Sequence, residues 1–183
     1  NARAWQENNY VRGDRLVIMQ KQGQLLVDGN VQSLLYNVKR KENGKESNVP
    51  VYASSKKLLY TRDDRLLRYE NDVDIRQGKD RITGGLAKIH LTDKNEVERT
   101  EVETNVVITQ PNRRAVADFA QYTAADEVVI LKGNPAQVED AENGTSQGAQ
   151  MTVYLRENRV IGEGKSKQNT SGRTRSVYKV KTN

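Results

Sequence analysis

A pattern of apolar residues recurs in this chain about every 31 residues, and it constrains the fold more than any other feature. Tyr60 and Tyr122 lie two such periods apart, and Leu91 stands midway between them. The first interval is about ten residues longer because it contains the charged insert Lys39–Asn48. A fixed period of this length is typical of stacked repeats, since one small unit cannot bury its apolar face alone.

Alternation of apolar and polar residues predicts that each repeat consists of two β-strands. The clearest alternation is in residues 67–75, where polar residues separate Leu67, Tyr69, Val73 and Ile75. Two further segments place apolar or small side chains on one face, namely Val102, Thr104, Val106 and Ile108, then Met151, Val153 and Leu155. Residues 114–128 are rich in alanine and fit a helix equally well by propensity, but the repeat favours strands there.

The composition favours an elongated body with one thin buried layer. Hydrophobic residues make up 35 % of the 183 residues, which is low for a soluble globular chain. The length is that of a single domain, so we expect one domain over 1–183. No apolar run approaches the ~20 residues that span a bilayer, and the sequence begins without a secretory leader, as a mature exported protein would.

Several kinds of site are excluded by residues that the chain lacks. It has no Cys and a single His, His90, so disulfides, thiolate zinc sites and histidine-rich metal sites are ruled out. The adjacent carboxylates Asp63 and Asp64 fall in a polar turn, and Glu101 and Glu103 fall on the polar face of a strand. We therefore expect no enzymatic activity, no cofactor and no metal.

The net charge of +6 lies entirely in residues 156–183, and residues 1–155 are neutral. One interpretation of this basic segment is a charged edge that limits aggregation. The other is contact with phosphate groups, which arginine recognises well. Nucleic-acid binding is disfavoured, because such proteins usually carry basic residues across the body of the domain.

The repeats resemble those of the OstA-like, LptA-type family of lipopolysaccharide-transport proteins, which includes LptA, LptC and the N-terminal domain of LptD. The resemblance extends from about residue 10 to 165 and is carried by Leu25–Val31, Val51–Val73, Glu103–Val106 and Arg114–Pro135. Two features depart from the family pattern. Asn71-Asp72 stands where glycine is preferred, which we expect to widen that turn, and the insert Lys39–Asn48 is additional.

This resemblance implies an all-β fold, an elongated β-jelly-roll that is open along a slit and built from stacked two-strand repeats. It implies that lipopolysaccharide acyl chains bind inside and that the sugars stay outside. The residues expected to line the interior are Leu67, Tyr69, Val73, Ile75, Val106, Ile108, Phe119, Ile130, Val138, Met151 and Val153. The candidates for phosphate or sugar contact are Arg113, Arg114, Arg173 and Arg175.

The resulting hypothesis is a non-enzymatic periplasmic carrier of lipopolysaccharide that joins similar domains, or copies of itself, end to end between the inner and outer membranes. It would lie near membranes without spanning them. One alternative is a repeat module that mediates protein contacts through open sheet edges without binding lipid. Another is that the apolar residues are the ordinary core of a closed sandwich. The sequence also leaves open which kind of family member this is, namely a free bridge, an anchored relative or part of a larger protein.

Overall fold

The computed structural model describes residues 2–6, 9–36, 39–42, 45–157, 159–164 and 175–177. These residues form β-strands joined by short turns and one 3₁₀ turn, Gln20–Gln22. None of the described segments is a helix that is long and apolar enough to cross a membrane. The strands are β1 Ala2–Gln6, β2 Asn9–Gly13, β3 Arg15–Met19, β4 Gln24–Leu35, β5 Lys39–Glu42, β6 Lys45–Asn48, β7 Val51–Thr61, β8 Leu66–Gln77, β9 Asp80–Leu91, β10 Val97–Gln110, β11 Arg113–Thr123, β12 Val128–Asp140, β13 Gly144–Tyr154, β14 Arg159–Glu163 and β15 Arg175–Val177.

Thirteen of these strands form one antiparallel sheet in the order β1-β2-β4-β7-β8-β9-β10-β11-β12-β13-β14, with β3 paired to β4 and β15 to β13. From β7 onward each strand to β14 pairs with the next in the chain, as stacked repeats require. The charged insert forms a separate hairpin of β5 and β6. In the described residues the two ends of the sheet do not pair with each other. The predicted all-β, open architecture is therefore confirmed, including strands β11 and β12 in the alanine-rich segment.

The long strands are interrupted near their middles, and the interruptions line up across the sheet. In each pair of neighbouring long strands the pairing register shifts, and these shifts lie side by side across the sheet. Gly84-Gly85 of β9 lies in the same row. We call this row the corner line. Its members are residues 29–30, 55–57, 71–72, 84–85, 104–105, 117–118, 133–135 and 149.

Pairs of residues with positive φ form the corner line in three of these strands. The pairs are Gly29-Asn30 in β4, Asn71-Asp72 in β8 and Thr104-Asn105 in β10. Asn and Asp tolerate this left-handed conformation better than most residues, so Asn71-Asp72 occupies it without glycine. Thr104 was predicted to share the inner face with Val102 and Val106. That prediction is wrong, because the corner leaves Thr104 exposed.

The sheet folds over at the corner line into two facing layers. Ser33 follows the corner in β4, whereas Tyr69 precedes it in β8, two strands away. In a flat sheet these two Cα atoms would be separated by a distance on the order of 20 Å. The Ser33 Oγ and Tyr69 Oη atoms are 2.8 Å apart and buried. The hydrogen bond therefore joins the two layers.

One apolar core lies between the layers and takes side chains from both of them. The first layer contains β3, β14 and strand halves such as 66–70 and 86–91. The second layer contains β1, β2, β15 and halves such as 73–77 and 80–84. Because every long strand crosses the corner line, each repeat contributes to both layers.

Candidate functional site

The inner faces of the two layers form the candidate functional site, and most of the residues predicted to line it lie there. Ile108 is half-buried and packs against the core. The other residues of the predicted lining that lie in the core are buried, and they are Leu67, Tyr69, Val73, Ile75, Val106, Val138, Met151 and Val153.

Phe119 and Ile130 lie on the opposite, outer face, so their expected place in the lining is corrected. Phe119 pairs with Lys132, whose Nζ lies 5.8 Å from the centre of its ring. The inner positions beside them belong to Ala120 and Leu131, which pair with each other and are buried. Directly opposed residues share a face, so Phe119 and Ile130 point away from the interior.

The corner line explains this error. In β11 the inner face passes from Ala117 to Ala120, and in β12 from Leu131 to Ala136. Each step spans an odd number of residues, so the alternation before the corner does not continue after it. The residues that sequence reasoning missed follow the alternation within each strand half, and they include Val27, Val31, Leu58, Ala87, Ile89, Ala120, Leu131 and Ala136.

The polar groups of the interior are paired with one another or with the backbone. Tyr69 is fully buried, and its hydroxyl and that of Ser33 share a hydrogen bond. Burial raises the pKa of Tyr69 to about 12, although the Ser33 hydrogen bond lowers it in part. The Ser55 hydroxyl donates to the Lys57 carbonyl oxygen at 2.8 Å. The described core cluster is therefore apolar, and the buried carboxylate Glu127 lies outside it in an ion pair with Arg156 at 2.8 Å.

The carboxylates weighed for catalysis lie outside this interior. Glu101 forms an ion pair with Arg99 at 3.0 Å, and Glu103 forms one with Lys88 at 2.8 Å. Asp63 and Asp64 lie in the turn between β7 and β8, as predicted. Within the described ranges, no group of three or more His, Cys, Asp or Glu side chains could hold a metal ion.

The candidate arginines fall in different surroundings. The Arg113 guanidinium donates to Asp140 at 3.1 Å, and both side chains are largely buried, whereas Arg114 is exposed opposite Glu139. Burial of Asp140 opposes its ionisation. Hydrogen bonds from the backbone amides of residues 142 and 143 and from Arg113 outweigh that effect, so the pKa of Asp140 lies below its ordinary value. Arg175 lies in β15, and Arg173 lies outside the described residues.

Comparisons with known proteins agree with this architecture. The family model described as LptA/(LptD N-terminal domain) LPS transport protein matches residues 52–159, which is more than half of the chain. A comparison with curated proteins finds no match.

Among solved structures, the chain is similar to LptH from Pseudomonas aeruginosa, the LptA homologous periplasmic component of the conserved lipopolysaccharide transport device. The sequences are 18 % identical, and the match covers 72 % of this chain and 96 % of LptH with a TM-score of 0.62. That likeness shows a common fold, and the family match covers the repeats that form its centre. The chain therefore belongs to the family of LptA and LptD N-terminal-domain lipopolysaccharide transport proteins.

Proposed function

We propose that this protein carries lipopolysaccharide in the periplasm by enclosing its acyl chains between the two layers while the sugars remain in water. Family membership supports the substrate class. The observation that carries the proposal is the interior itself, where the described side chains are apolar and the buried hydroxyls are already paired. Such a surface offers a ligand hydrophobic contact and no reactive group.

The hydrophobic effect alone supplies enough free energy for this kind of binding. Transfer of an acyl chain from water gives about 0.8 kcal/mol per buried CH₂ group. Small side chains occupy much of the inner face, and they include Ala53, Ala87, Ala115, Ala117, Ala120 and Ala136. Because an alanine side chain is a single methyl group, an acyl chain can lie close to the backbone of these strands.

Acyl chains would enter between the margins of the layers that lie away from the corner line. Along the corner line, continuous strands join the layers, whereas the two ends of the sheet are not paired in the described residues. At the margin of the second layer, Arg114 is exposed, and we assign it contact with phosphate groups in preference to Arg113, which already binds Asp140.

A charge placed on the inner face should weaken acyl-chain binding strongly. Ile108→Asp introduces a carboxylate beside the core, where an acyl chain could not solvate it, so we expect affinity for a fluorescent fatty-acid probe to fall at least about tenfold. Val107→Asp is the matched control, since Val107 is the adjacent half-buried residue of β10 on the outer face. Lipopolysaccharide should displace the probe from the parent protein and from the Val107→Asp variant.

Crosslinking tests the same point without a buried charge. A photoreactive phenylalanine analogue at position 108 should crosslink to lipopolysaccharide, and the same analogue at 107 should not. Equal crosslinking at both positions, or a folded Ile108→Asp variant that binds the probe normally, would contradict binding in the interior. Circular dichroism establishes that each variant retains its strands.

We further propose that domains join end to end, so that the interior of one continues into the next. Ile18 lies in β3, which pairs with β4 at one edge of the first layer. It is paired with Leu25, which packs against the core, so it belongs to the inner face, yet it is 60 % exposed. If a second domain continued the interior at this end of the roll, it would cover such an exposed inner-face side chain.

Ile18→Asp should therefore weaken association. Light scattering of the parent protein should show a mass that increases with concentration, and the variant should remain smaller at equal concentration. Lys94→Ala is the control, because it changes the net charge by the same amount at an exposed turn. If assembly persists while acyl-probe binding is absent, the protein is a contact module that binds no lipid, and the carrier function is rejected.

A further inference from the structure

The outer face of the second layer carries a row of aromatic side chains that the interior does not explain. Trp5, Tyr10, Leu34 and Tyr52 are directly opposed in successive strands, so they share one face. The neighbouring row Ala4, Val11 and Ser33 faces the core, which places the aromatic row outside.

These aromatic side chains are unusually exposed for their size. Trp5 is 76 % exposed, Tyr52 is 52 % exposed, and Tyr10 is 37 % exposed. Leu34, which lies between Tyr10 and Tyr52 in this row, is buried although it lies outside the core cluster. The result is an apolar and aromatic surface at the margin where β1 turns into β2.

The same face carries an excess of positive charge. Arg76 and Arg81 continue the aromatic row beyond Tyr52. Arg3 and Arg12 oppose each other in the next outer row, where Asp74 is the acidic residue. Both Arg76 and Arg81 donate two hydrogen bonds to Asp74. From β1 to β9, these two rows of described residues therefore contain four arginines and one aspartate.

The charged insert is connected to the sheet next to the aromatic row. The hairpin of β5 and β6 leaves the sheet after Leu35 and returns at Val51, beside Leu34 and Tyr52 of the aromatic row. Its sequence contains more basic than acidic residues, with Lys39, Arg40, Lys41 and Lys45 against Glu42 and Glu46. The insert lies outside residues 52–159, which the family model matches.

We propose that the aromatic-basic face, formed by Trp5, Tyr10, Tyr52, Arg3, Arg12, Arg76 and Arg81, docks on the surface of an anionic lipid bilayer. Tryptophan and tyrosine are favoured at the headgroup level, where one end of the ring is apolar and the other is wet. Arginine adds attraction to anionic headgroups. A second copy of the same face is disfavoured as the partner, because two arginine-rich surfaces repel each other.

This proposal concerns the outside of the roll and does not depend on acyl-chain binding within it. Docking there would hold the roll against a membrane while the interior stays free, since the two faces of the second layer point in opposite directions. Vesicles that contain no lipopolysaccharide therefore test the face by itself.

Tryptophan fluorescence reports on the aromatic-basic face directly, since Trp5 is the only tryptophan in the sequence. Addition of phosphatidylglycerol–phosphatidylcholine vesicles should shift the emission of Trp5 to shorter wavelength and protect it from acrylamide, and the protein should sediment with the vesicles. Pure phosphatidylcholine vesicles should give a much smaller shift. The binding should weaken as the salt concentration rises, because the Arg–headgroup attraction is screened.

Variants separate this face from non-specific adsorption. Arg3→Gln should weaken partitioning to the anionic vesicles about fivefold, since each basic residue near such a surface contributes about 1 kcal/mol. Tyr52→Ser should also weaken it. Ile161→Ser is the matched control, because Ile161 is 38 % exposed on the outer face of β14, near the other end of the sheet, and should change nothing.

Three outcomes would overturn the proposal. The first is the absence of an emission shift with anionic vesicles. The second is an equal loss of binding in Ile161→Ser and Tyr52→Ser. The third is Trp5 emission that is already shifted without lipid and moves with protein concentration, which would assign the face to contact between copies of the chain.

Discussion

Truncation of Tyr69 to alanine is expected to lower the free energy of unfolding by about 3–5 kcal/mol, as for other large buried aromatic side chains. Tyr69 is fully buried, and it is among the largest side chains of the core. The truncation would leave a cavity between the layers and would remove the only partner observed for the Ser33 hydroxyl among the described residues. Denaturation by guanidinium, followed by circular dichroism, measures the loss. Tyr52→Ala on the outer face should cost far less.

A double-mutant cycle isolates the bond between the layers from the packing of the ring. Tyr69→Phe removes the partner of the Ser33 hydroxyl, and Ser33→Ala removes the partner of the Tyr69 hydroxyl. The double variant removes both hydroxyls. We expect a coupling free energy of about 1 kcal/mol between the two positions. Strictly additive effects would show that this bond contributes nothing to the joining of the layers.

Alkaline pH gives an independent measure of the same hydroxyl. The pKa of Tyr69 is raised to about 12 in the folded protein, whereas a tyrosine in the unfolded chain has a pKa of about 10. The unfolded state therefore releases this proton first, and stability falls as the pH rises from about 10 to about 12. The Tyr69→Phe variant should lack this component. All other groups that titrate in this range are common to the two proteins.

Gly84→Ala is expected to destabilise the protein by about 1–3 kcal/mol, as overpacking of a tight interior does. A Cβ at position 84 would lie 2.5 Å from the Val102 Cγ1 atom and 3.1 Å from the Glu103 carbonyl oxygen. Val102 is buried and β-branched, so it has little freedom to move aside. Thermal unfolding followed by circular dichroism would show the loss as a lower midpoint.

Truncation of the Val102 side chain should restore most of the stability that Gly84→Ala removes. In a Val102→Ala background the added methyl group has room, so Gly84→Ala should cost much less than it does in the parent. Gly85→Ala is the matched control, since its Cβ would lie 3.0 Å from the Thr104 Cβ, a longer contact that does not involve Val102, so its cost should be smaller and the same in both backgrounds. An equal cost of Gly84→Ala in both backgrounds would mean that contact with the Val102 side chain is not the source of the destabilisation.

The repeat made the strands, their order and the open sheet predictable, because each copy must bury the same kind of face against its neighbours. It resolved even the alanine-rich segment, where propensity favoured helix and strand equally. The positions of Leu67, Tyr69, Val73 and Ile75 on one face followed from simple alternation. In β8 the corner contains two left-handed residues, Asn71 and Asp72, and the alternation resumes unchanged after them.

The face of Phe119 and Ile130 was not predictable in the same way. In β11 and β12 the corner changes the alternation, whereas in β8 it does not. The number of residues that a corner spans is fixed by the register in which the strands pair, so the alternation on one side of it does not give the face on the other. The partner of Arg113 was equally hidden, because Asp140 is distant in the chain and meets it only after β11 and β12 pair. Long-range pairing decides both cases.

The corner line also bears on how such a protein can change in length during evolution. Because each two-strand repeat carries its own part of the corner, a tandem duplication of about 31 residues would insert two strands that are already bent for both layers. Neighbouring strands lie about 4.8 Å apart, so each duplication would extend the roll by about 10 Å. The distance that a single chain covers could therefore grow in equal steps, each of which preserves the pairing of the strands on either side.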